Sequence, residues 1–200
     1  MATSLQSLTL YVIRHGQTED NVIHRSTGHN DSALTAQGLQ QAAANGRLLK
    51  EVAGPLGDFS FFASSLHRAC VTMEIVRTQL GLPPTQYSRD RRLMECDFGR
   101  WTGRKEDEVA AHEPDAIAAR EADKWNYQIP GGESQKQLHA RVGDFLGELT
   151  DNAVLVCHAG SVRMIRSHYL GLGPDDTVYY TPDNSGILRL SGGCETHFGD

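Results

Sequence analysis

The chain lacks several features that would assign it to a particular class of protein. It has only 7 Pro among 200 residues, no low-complexity tract and no internal repeat, and 39% of its residues are hydrophobic, which is ordinary globular usage. No apolar run approaches the roughly 20 residues that cross a bilayer. No basic residue precedes the first apolar run, so we expect a first strand there rather than a signal peptide. With 25 acidic against 19 basic residues, the chain has no broad basic face for nucleic acid.

The patterns of a disulfide framework or a metal site are also missing. The four cysteines, Cys70, Cys96, Cys157 and Cys194, are scattered and form no CxxC pair. Such spacing is typical of reduced thiols, so we expect a cytoplasmic protein without disulfides. The zinc motif HExxH is absent as well, and we expect neither a metal nor a cofactor.

Short apolar runs alternate with segments of helical periodicity. The predicted strands are Leu8–Ile13, 58–64, 153–157 and 186–190. The predicted helices begin after an N-cap at Thr35, after Ser64 or Ser65, at a capping box formed by Ser134 and Gln137, and at Ser161. Alternating strands and helices predict a three-layer α/β sandwich, in which helices flank a mostly parallel central sheet.

The length fits one hydrophobic core, and we expect a single domain over residues 1–200. A segment at about 100–132 is more polar and rich in Ala and Glu. It predicts short helices that form a cap or wall of the domain. The sequence leaves open whether the protein is a monomer or a homodimer.

Three of the predicted strands end in residues that suit an anion. The first runs into Arg14-His15-Gly16, the second into Ser64-Ser65-Leu66-His67-Arg68, and the strand at 153–157 into His158-Ala159-Gly160. If these strands are parallel, their carboxyl ends meet at one sheet edge, where ligands bind in such folds. Guanidinium groups, imidazoles and helix N-termini gathered there favour a tetrahedral phosphoryl group.

Each of these motifs alone has a simpler explanation. A single Arg-His pair at a strand end is more often plain surface, and serines before a helix usually cap it. Only the joint occurrence at three strand ends favours a site, in which Gly16 and Gly160 are expected to let the backbone approach a ligand. The other histidines are interpreted as loop or helix-surface residues: His24, His29, His67, His112, His139, His168 and His197.

The stretch LYVIRHGQTEDN at 10–21 resembles the signature of the histidine phosphatase superfamily, branch 1, which includes the cofactor-dependent phosphoglycerate mutases. The resemblance continues, in order, through TGHNDSALTAQG (27–38), SSLHRA (64–69), LMECDFGRWTG (93–103), PGGES (130–134) and VCHAGSVR (156–163). It implies a phosphoglycerate mutase-like fold and a small-molecule phosphomonoester as the partner.

The resemblance also implies roles for particular residues. His15 matches the nucleophile that becomes phosphohistidine, and Glu95 matches the acid that protonates the leaving oxygen and then deprotonates water. Arg14, Arg68 and His158 match the groups that bind the phosphoryl oxygens. Further phosphate or pocket contacts are expected at Asn21, Thr27, Gly16 and Ala159. The chemistry requires one hydrogen bond that orients the His15 ring, expected from a backbone carbonyl near Gly16.

Several alternatives remain open at this point. Glu95 can instead be a plain salt-bridge partner of Arg91 or Arg92, and Asp97 is a rival carboxylate two residues on. Mutases of the family carry an Arg-His-Tyr run and a longer insertion, whereas this short chain has Cys96, Asp97 and Phe98 after the acid. We therefore favour a phosphatase over a mutase.

Two further classes of protein are weighed against an enzyme of this family. One is a catalytically silent phospho-ligand-binding protein, and the other is a metal-dependent hydrolase. The intact set of five catalytic positions argues against the first, and the missing ligand spacing argues against the second. The substrate itself is not readable from the sequence. Cationic residues of the cap that are candidates for a second anionic group are Arg104, Lys105 and Lys124.

Overall fold

A computed structural model describes residues 5–199. Met1–Ser4 and Asp200 lie outside the described residues. The ends of the predicted domain at 1–200 and the first residues of the N-terminal segment, for which a signal peptide was considered, therefore also lie outside them. The strands are β1 (Leu10–Arg14), β2 (Ser60–Ser64), β3 (Ser88–Asp90), β4 (Ala153–Cys157), β5 (Ile187–Ser191) and β6 (Cys194–Phe198). They form one sheet in the order β3-β2-β4-β1-β5-β6, in which β5 runs antiparallel to both of its neighbours.

The helices are α1 (Glu19–Val22), α2 (Ala36–Ala53), α3 (His67–Gln79), α4 (Glu106–His112), α5 (Pro114–Ala122), α6 (Gln135–Leu146), α7 (Ala159–Leu170) and α8 (Pro174–Val178). Short 3-10 turns cover Leu5–Ser7, Arg91–Leu93 and Gly99–Trp101. No helix within residues 5–199 combines the length and the apolar character needed to cross a membrane.

Side chains of the central strands alternate between two cores, as the pleat of a strand requires. Along β1, Leu10 and Val12 pack with side chains of α6 and α7, whereas Tyr11 and Ile13 pack with side chains of α2 and α3. The sheet is therefore covered on both faces, and the predicted three-layer α/β sandwich is confirmed. A third, small cluster around Trp101 joins α4 to the loop before α6.

Two edge strands were not predicted from the sequence, and the start of one helix was predicted wrongly. β3 and β6 are short and largely exposed, so they carry no run of apolar residues that would predict them. α3 begins at His67 with Leu66 as a cap that makes no side-chain hydrogen bond, so neither Ser64 nor Ser65 caps it. The predicted caps at Thr35 and Ser134 are confirmed, each accepting from the backbone N–H three residues on.

The register of the sheet places three strand ends side by side. β4 lies between β1 and β2 and is parallel to both, with Arg14 opposite Cys157 and Ala63 opposite Val156. The residues that follow these strands therefore emerge at the same edge, as the sequence predicted. This edge carries the candidate site.

Close packing holds the loop after β1 against the start of α2. A Cβ added at Gly38 would lie 2.1 Å from the backbone oxygen of Gln17, and one added at Gly16 would lie 2.2 Å from the backbone oxygen of Gly38. Two backbones thus touch where any side chain would separate them. Gly16 is therefore required by its packing against α2.

We predict that Gly38→Ala destabilises the protein although alanine is the better helix former. The added methyl group meets a backbone oxygen that cannot move away, and overpacking of this kind costs about 1–3 kcal/mol. Urea denaturation measures the loss. Gly57→Ala is the matched control, since a Cβ there meets nothing within 4 Å. Equal stability of the two variants would contradict the close contact.

Candidate active site

His15 follows β1 directly and is 3% exposed. Its Nδ1 lies 2.8 Å from the carbonyl oxygen of Gly16. A carbonyl oxygen only accepts hydrogen bonds, so Nδ1 carries the proton and Nε2 keeps a free lone pair. This is the orienting bond that the sequence predicted for the His15 ring.

The surroundings of His15 keep its ring neutral. Burial lowers the pKa of His15 well below its ordinary value, and the positive charges of Arg68 and Arg14 lower it further. The hydrogen bond to Gly16 opposes this shift without cancelling it. The neutral form of the imidazole is therefore favoured.

His158 is the second buried imidazole of the site. It caps the N-terminus of α7, is fully buried, and lies with its ring centroid 5.0 Å from that of His15. Its Nε2 lies 2.7 Å from Oγ of Ser64, which also accepts from the N–H of Leu66. Among the described residues the Ser64 hydroxyl has no other acceptor, so it donates to Nε2 and leaves the ring proton on Nδ1. That Nδ1 is buried and has no partner within the described part of the chain.

Two arginines bring positive charge to the same edge. Arg14 donates from Nη1 to the carbonyl of Pro182 at 2.8 Å, while its buried Nε lacks an acceptor among residues 5–199. Arg68 is 2% exposed and donates to the carbonyls of Asn30 (2.6 Å) and Gly28 (2.8 Å). Burial lowers the pKa of both guanidinium groups, but an arginine keeps its charge at any physiological pH.

His15, Arg14 and Arg68 line a cavity of about 200 Å³, whereas His158, which was also predicted for the site, is not among its lining residues. Of the residues predicted for the site, Arg14, His15, Asn21, Thr27, Arg68 and Glu95 line it. Asn21 uses its Oδ1 to accept from the N–H of Thr18 at 3.1 Å, so it also holds the loop that follows β1. Gly16 and Ala159 do not line the cavity: the first packs on α2, and the second begins α7.

Glu95 enters the cavity from the loop after the 3-10 turn Arg91–Leu93. Its Oε1 accepts from the N–H groups of Cys96 (2.8 Å) and Gly160 (3.0 Å), and its Oε2 lies a longer 3.3 Å from the latter. A Cβ at Gly160 would lie 2.2 Å from Oε1, so the bare backbone there admits this carboxylate rather than a ligand. Oε2 is the oxygen left available to carry a proton.

The simpler explanation of Glu95 as a salt-bridge partner does not hold. Arg92 pairs instead with Asp90 at 2.7 Å and with Glu148 at 2.8 Å. The rival carboxylate of Asp97 accepts from the N–H of Gly99 at 2.8 Å and does not line the cavity. The structure therefore brings Glu95, and not Asp97, into the cavity that His15 lines.

A comparison with known proteins agrees with this geometry. Residues 10–195 match the model of the histidine phosphatase superfamily, branch 1. The chain belongs to this family. It is 35% identical over 179 residues to a 2,3-bisphosphoglycerate-dependent phosphoglycerate mutase of Brucella melitensis, and the match covers 86% of each chain.

Two further proteins are similar over most of the chain. A 6-phosphofructo-2-kinase/fructose-2,6-bisphosphatase 1 of Mus musculus is 29% identical over 185 residues, which are 92% of this chain but only 37% of that protein. The chain thus spans little more than a third of that relative's length. A solved structure of a mycobacterial glucosyl-3-phosphoglycerate phosphatase with VO3 has a TM-score of 0.80 at 26% identity, covering 97% of this chain and 98% of that one.

Sequence reasoning missed several residues that complete this histidine phosphatase site. Arg25 lines the cavity, and its buried Nε has no acceptor within the described residues. His29, interpreted as a surface histidine, donates to the carbonyl of Glu95 at 2.8 Å. Arg141 on α6 donates to the same carbonyl at 2.7 Å, and Ser161 on α7 holds the carbonyl of Met94 at 2.8 Å. His29 and Ser161 lie inside quoted motifs, but nothing in the sequence shows that they and Arg141 contact the backbone of residues 94 and 95, which is distant along the chain.

We predict that the protein loses stability on mild acidification. Burial lowers the folded-state pKa of His15, His158 and His139, the last to about 4. Below the unfolded value of about 6.5 the unfolded chain binds more protons, so the free energy of unfolding falls by up to about 1.4 kcal/mol per pH unit for each histidine.

Urea denaturation between pH 7.5 and pH 5 measures this slope. His139→Gln should make the slope shallower, because one half-buried imidazole with a lowered pKa no longer takes part. NMR titration should find the His15 ring unprotonated throughout this range. Protonation of His15 near the ordinary histidine value would contradict the neutral nucleophile.

Proposed function

We propose that the protein hydrolyses a small phosphomonoester through a phosphohistidine intermediate on His15. The observation that carries the proposal is a neutral His15 imidazole in a cavity that Arg14, Arg25 and Arg68 also line. The Nε atoms of Arg14 and Arg25 are buried donors without an acceptor in the described part of the chain. A buried donor without a partner is costly, and a phosphoryl group bound in the cavity would be an acceptor for the guanidinium donors.

In the first step Nε2 of His15 attacks phosphorus in line with the leaving oxygen. The Nε2–P bond forms as the ester P–O bond breaks, and charge spreads over three equatorial oxygens. Arg14, Arg68 and the Nδ1–H of His158 stabilise that charge. Since the donors are already fixed by the fold, little reorganisation is needed at the moment of reaction.

Glu95 carries the proton in both steps. Its Oε2 gives a proton to the leaving oxygen as the ester bond breaks. In the second step the same oxygen takes a proton from water, whose oxygen attacks phosphorus. The Nε2–P bond then breaks, phosphate leaves and the neutral ring is restored. No metal is required by this route.

The family contains mutases as well as phosphatases, and this chain favours the phosphatase. The segment after the acid reads Cys96-Asp97-Phe98, without the arginine that the mutase pattern places there. Phe98 lines the cavity at this position. A mutase must hold the dephosphorylated product for retransfer, and the missing cation weakens that hold. We place the reaction in the cytoplasm, in a monomer or a homodimer.

The decisive experiment follows radiolabelled phosphate from p-nitrophenyl phosphate in the presence of EDTA. We expect steady hydrolysis and a phosphoenzyme that survives alkali and is lost in acid. His15→Ala should abolish the phosphoenzyme and lower kcat by a factor on the order of 10⁴ or more. His67→Ala is the matched control, because this exposed histidine at the start of α3 does not line the cavity.

Three outcomes would contradict the proposal. Transfer of label from bisphosphoglycerate to phosphoglycerate faster than to water would indicate a mutase. Vanadate binding without any hydrolysis would indicate a silent binding protein. Loss of activity in EDTA would indicate a metal-dependent hydrolase.

Glu95→Gln should slow esters of poor leaving groups far more than nitrophenyl esters. The amide cannot give up a proton, and general acid catalysis contributes about 10²–10⁴ in rate when the leaving oxygen needs one. Measured kcat for phenyl phosphate and for p-nitrophenyl phosphate gives the comparison. Asp97→Asn, two residues on, is the control and should show no such dependence. Equal losses on both esters in Glu95→Gln would leave the acid role without support.

A further inference from the structure

The peptide group between His15 and Gly16 is held by side chains on both of its sides. The carbonyl oxygen of His15 accepts a hydrogen bond from Nδ2 of Asn184 at 2.6 Å. The N–H of Gly16, on the other side of the same peptide plane, donates to Oγ1 of Thr72 at 3.2 Å. Because a peptide group is planar, partners on both sides fix its rotation about the chain. Asn184 lies 169 positions from His15 and Thr72 lies 56 positions from Gly16, so only the tertiary structure brings them there.

The next carbonyl along the chain is the one that orients the His15 ring. The carbonyl oxygen of Gly16 accepts from Nδ1 of His15 at 2.8 Å. Glycine allows more backbone conformations than any other residue, so the direction of this carbonyl depends on how the peptide groups on either side of Gly16 are held. The following N–H, that of Gln17, is held as well, by Oε1 of Gln41 on α2 at 2.8 Å. The direction of the ring therefore depends on hydrogen bonds to the backbone around it.

Thr72 lies fully buried on α3. Its hydroxyl donates to the carbonyl of Arg68 at 2.8 Å, so the lone pairs of Oγ1 remain free to accept from the N–H of Gly16. Arg68, one turn earlier on the same helix, lines the cavity together with His15. One buried hydroxyl thus joins the backbone that orients the imidazole to the backbone that carries an arginine of the site.

Asn184 lies half-buried in the loop between α8 and β5. Its amide nitrogen must face His15, since a carbonyl oxygen can only accept a hydrogen bond. The backbone of this loop is in turn fixed by Asn45, a buried residue of α2. Asn45 donates from Nδ2 to the carbonyl of Asn184 at 3.2 Å, and its Oδ1 accepts from the N–H of Gly186 at 2.8 Å. The amide of Asn184 therefore reaches His15 from a backbone that α2 holds in place.

We propose that Asn184 and Thr72 are positioning residues for His15. By holding the peptide group that follows His15, they keep the carbonyl of Gly16 on Nδ1, so that the ring proton stays on Nδ1 and the lone pair stays on Nε2. Neither Asn184 nor Thr72 lines the cavity, so each acts on a ligand only through His15. That His15 attacks phosphorus rests on the proposed function, whereas the dependence of its tautomer on these two residues does not.

The test replaces each side chain by one of similar size that lacks the hydrogen-bonding group, in Asn184→Leu and Thr72→Val. Thr72→Ser is the conservative variant that keeps the hydroxyl. Long-range ¹H–¹⁵N NMR of histidine-labelled protein at neutral pH reads the tautomer, and the signals missing from His15→Ala identify the ring. The wild type and Thr72→Ser should hold the proton on Nδ1, whereas Asn184→Leu and Thr72→Val should show a measurable share of the Nε2–H tautomer.

The rate of phosphoenzyme formation from p-nitrophenyl phosphate is the second readout. In a single turnover this rate should fall about tenfold to a hundredfold in Asn184→Leu and in Thr72→Val, because the ring is no longer held in its attacking geometry. The affinity for inorganic phosphate, measured by competition, should change little, since Arg14 and Arg68 remain. A residue needed only for folding would not slow the chemical step while leaving the anion affinity unchanged.

Asn152→Leu is the matched control. Asn152 is half-buried as well, and its Oδ1 accepts from the N–H of Thr9 at 2.7 Å, at the end of β1 away from His15. This variant should leave both the tautomer and the rate unchanged.

If Asn184→Leu and Thr72→Val fold but keep the wild-type tautomer, the positioning role is wrong and the phosphatase function stands. If the wild type forms no phosphoenzyme, the proposed function fails, and the tautomer alone decides the positioning role. Should Thr72→Val not fold, Asn184→Leu in the loop decides the question.

Discussion

The burial of two guanidinium groups beside two imidazoles at one sheet edge is the constraint on which the site depends. Burial lowers the pKa of His15 and of His158, and the permanent charges of Arg14 and Arg68 lower both further, so the neutral form of each ring is favoured. The same positive field attracts a phosphoryl dianion. The two buried arginines therefore serve the proposed function in two ways: they favour the neutral His15 ring, and they attract an anion. The cost is a set of unpaired buried donors, which the protein tolerates because a ligand completes them.

The sequence predicted this edge well because its signals are local. The residues that follow a strand, such as Arg-His-Gly or His-Ala-Gly, can be read directly from the sequence. Because parallel strands end at the same sheet edge, these residues are expected to lie close together. The orienting bond of His15 was predictable for the same reason, since its acceptor is the next residue. By contrast, Ser64 was interpreted as a helix cap, whereas its hydroxyl holds His158, 94 residues away. Only the sheet order brings these two side chains together.

The hydrogen bonds that hold Glu95 in place could not be predicted from the sequence either. Its carboxylate rests on the N–H of Gly160, and its backbone is held by His29, Arg141 and, through the preceding residue, Ser161. These residues come from a loop and from two helices that only the tertiary structure joins. The glycines were predicted as necessary but for another reason: Gly16 meets α2, and Gly160 meets Glu95. The sequence indicates where a glycine is needed, but it does not indicate which group packs against that glycine.

The two arginines at this sheet edge are held mainly by backbone carbonyls. Arg68 donates to two such carbonyls and Arg14 to one, so the fold fixes both guanidinium groups before anything binds. The more polar segment at 100–132 is held differently, by a small core of its own around Trp101. Fixed cations are what the proposed function requires, because every phosphomonoester presents the same phosphoryl group to them.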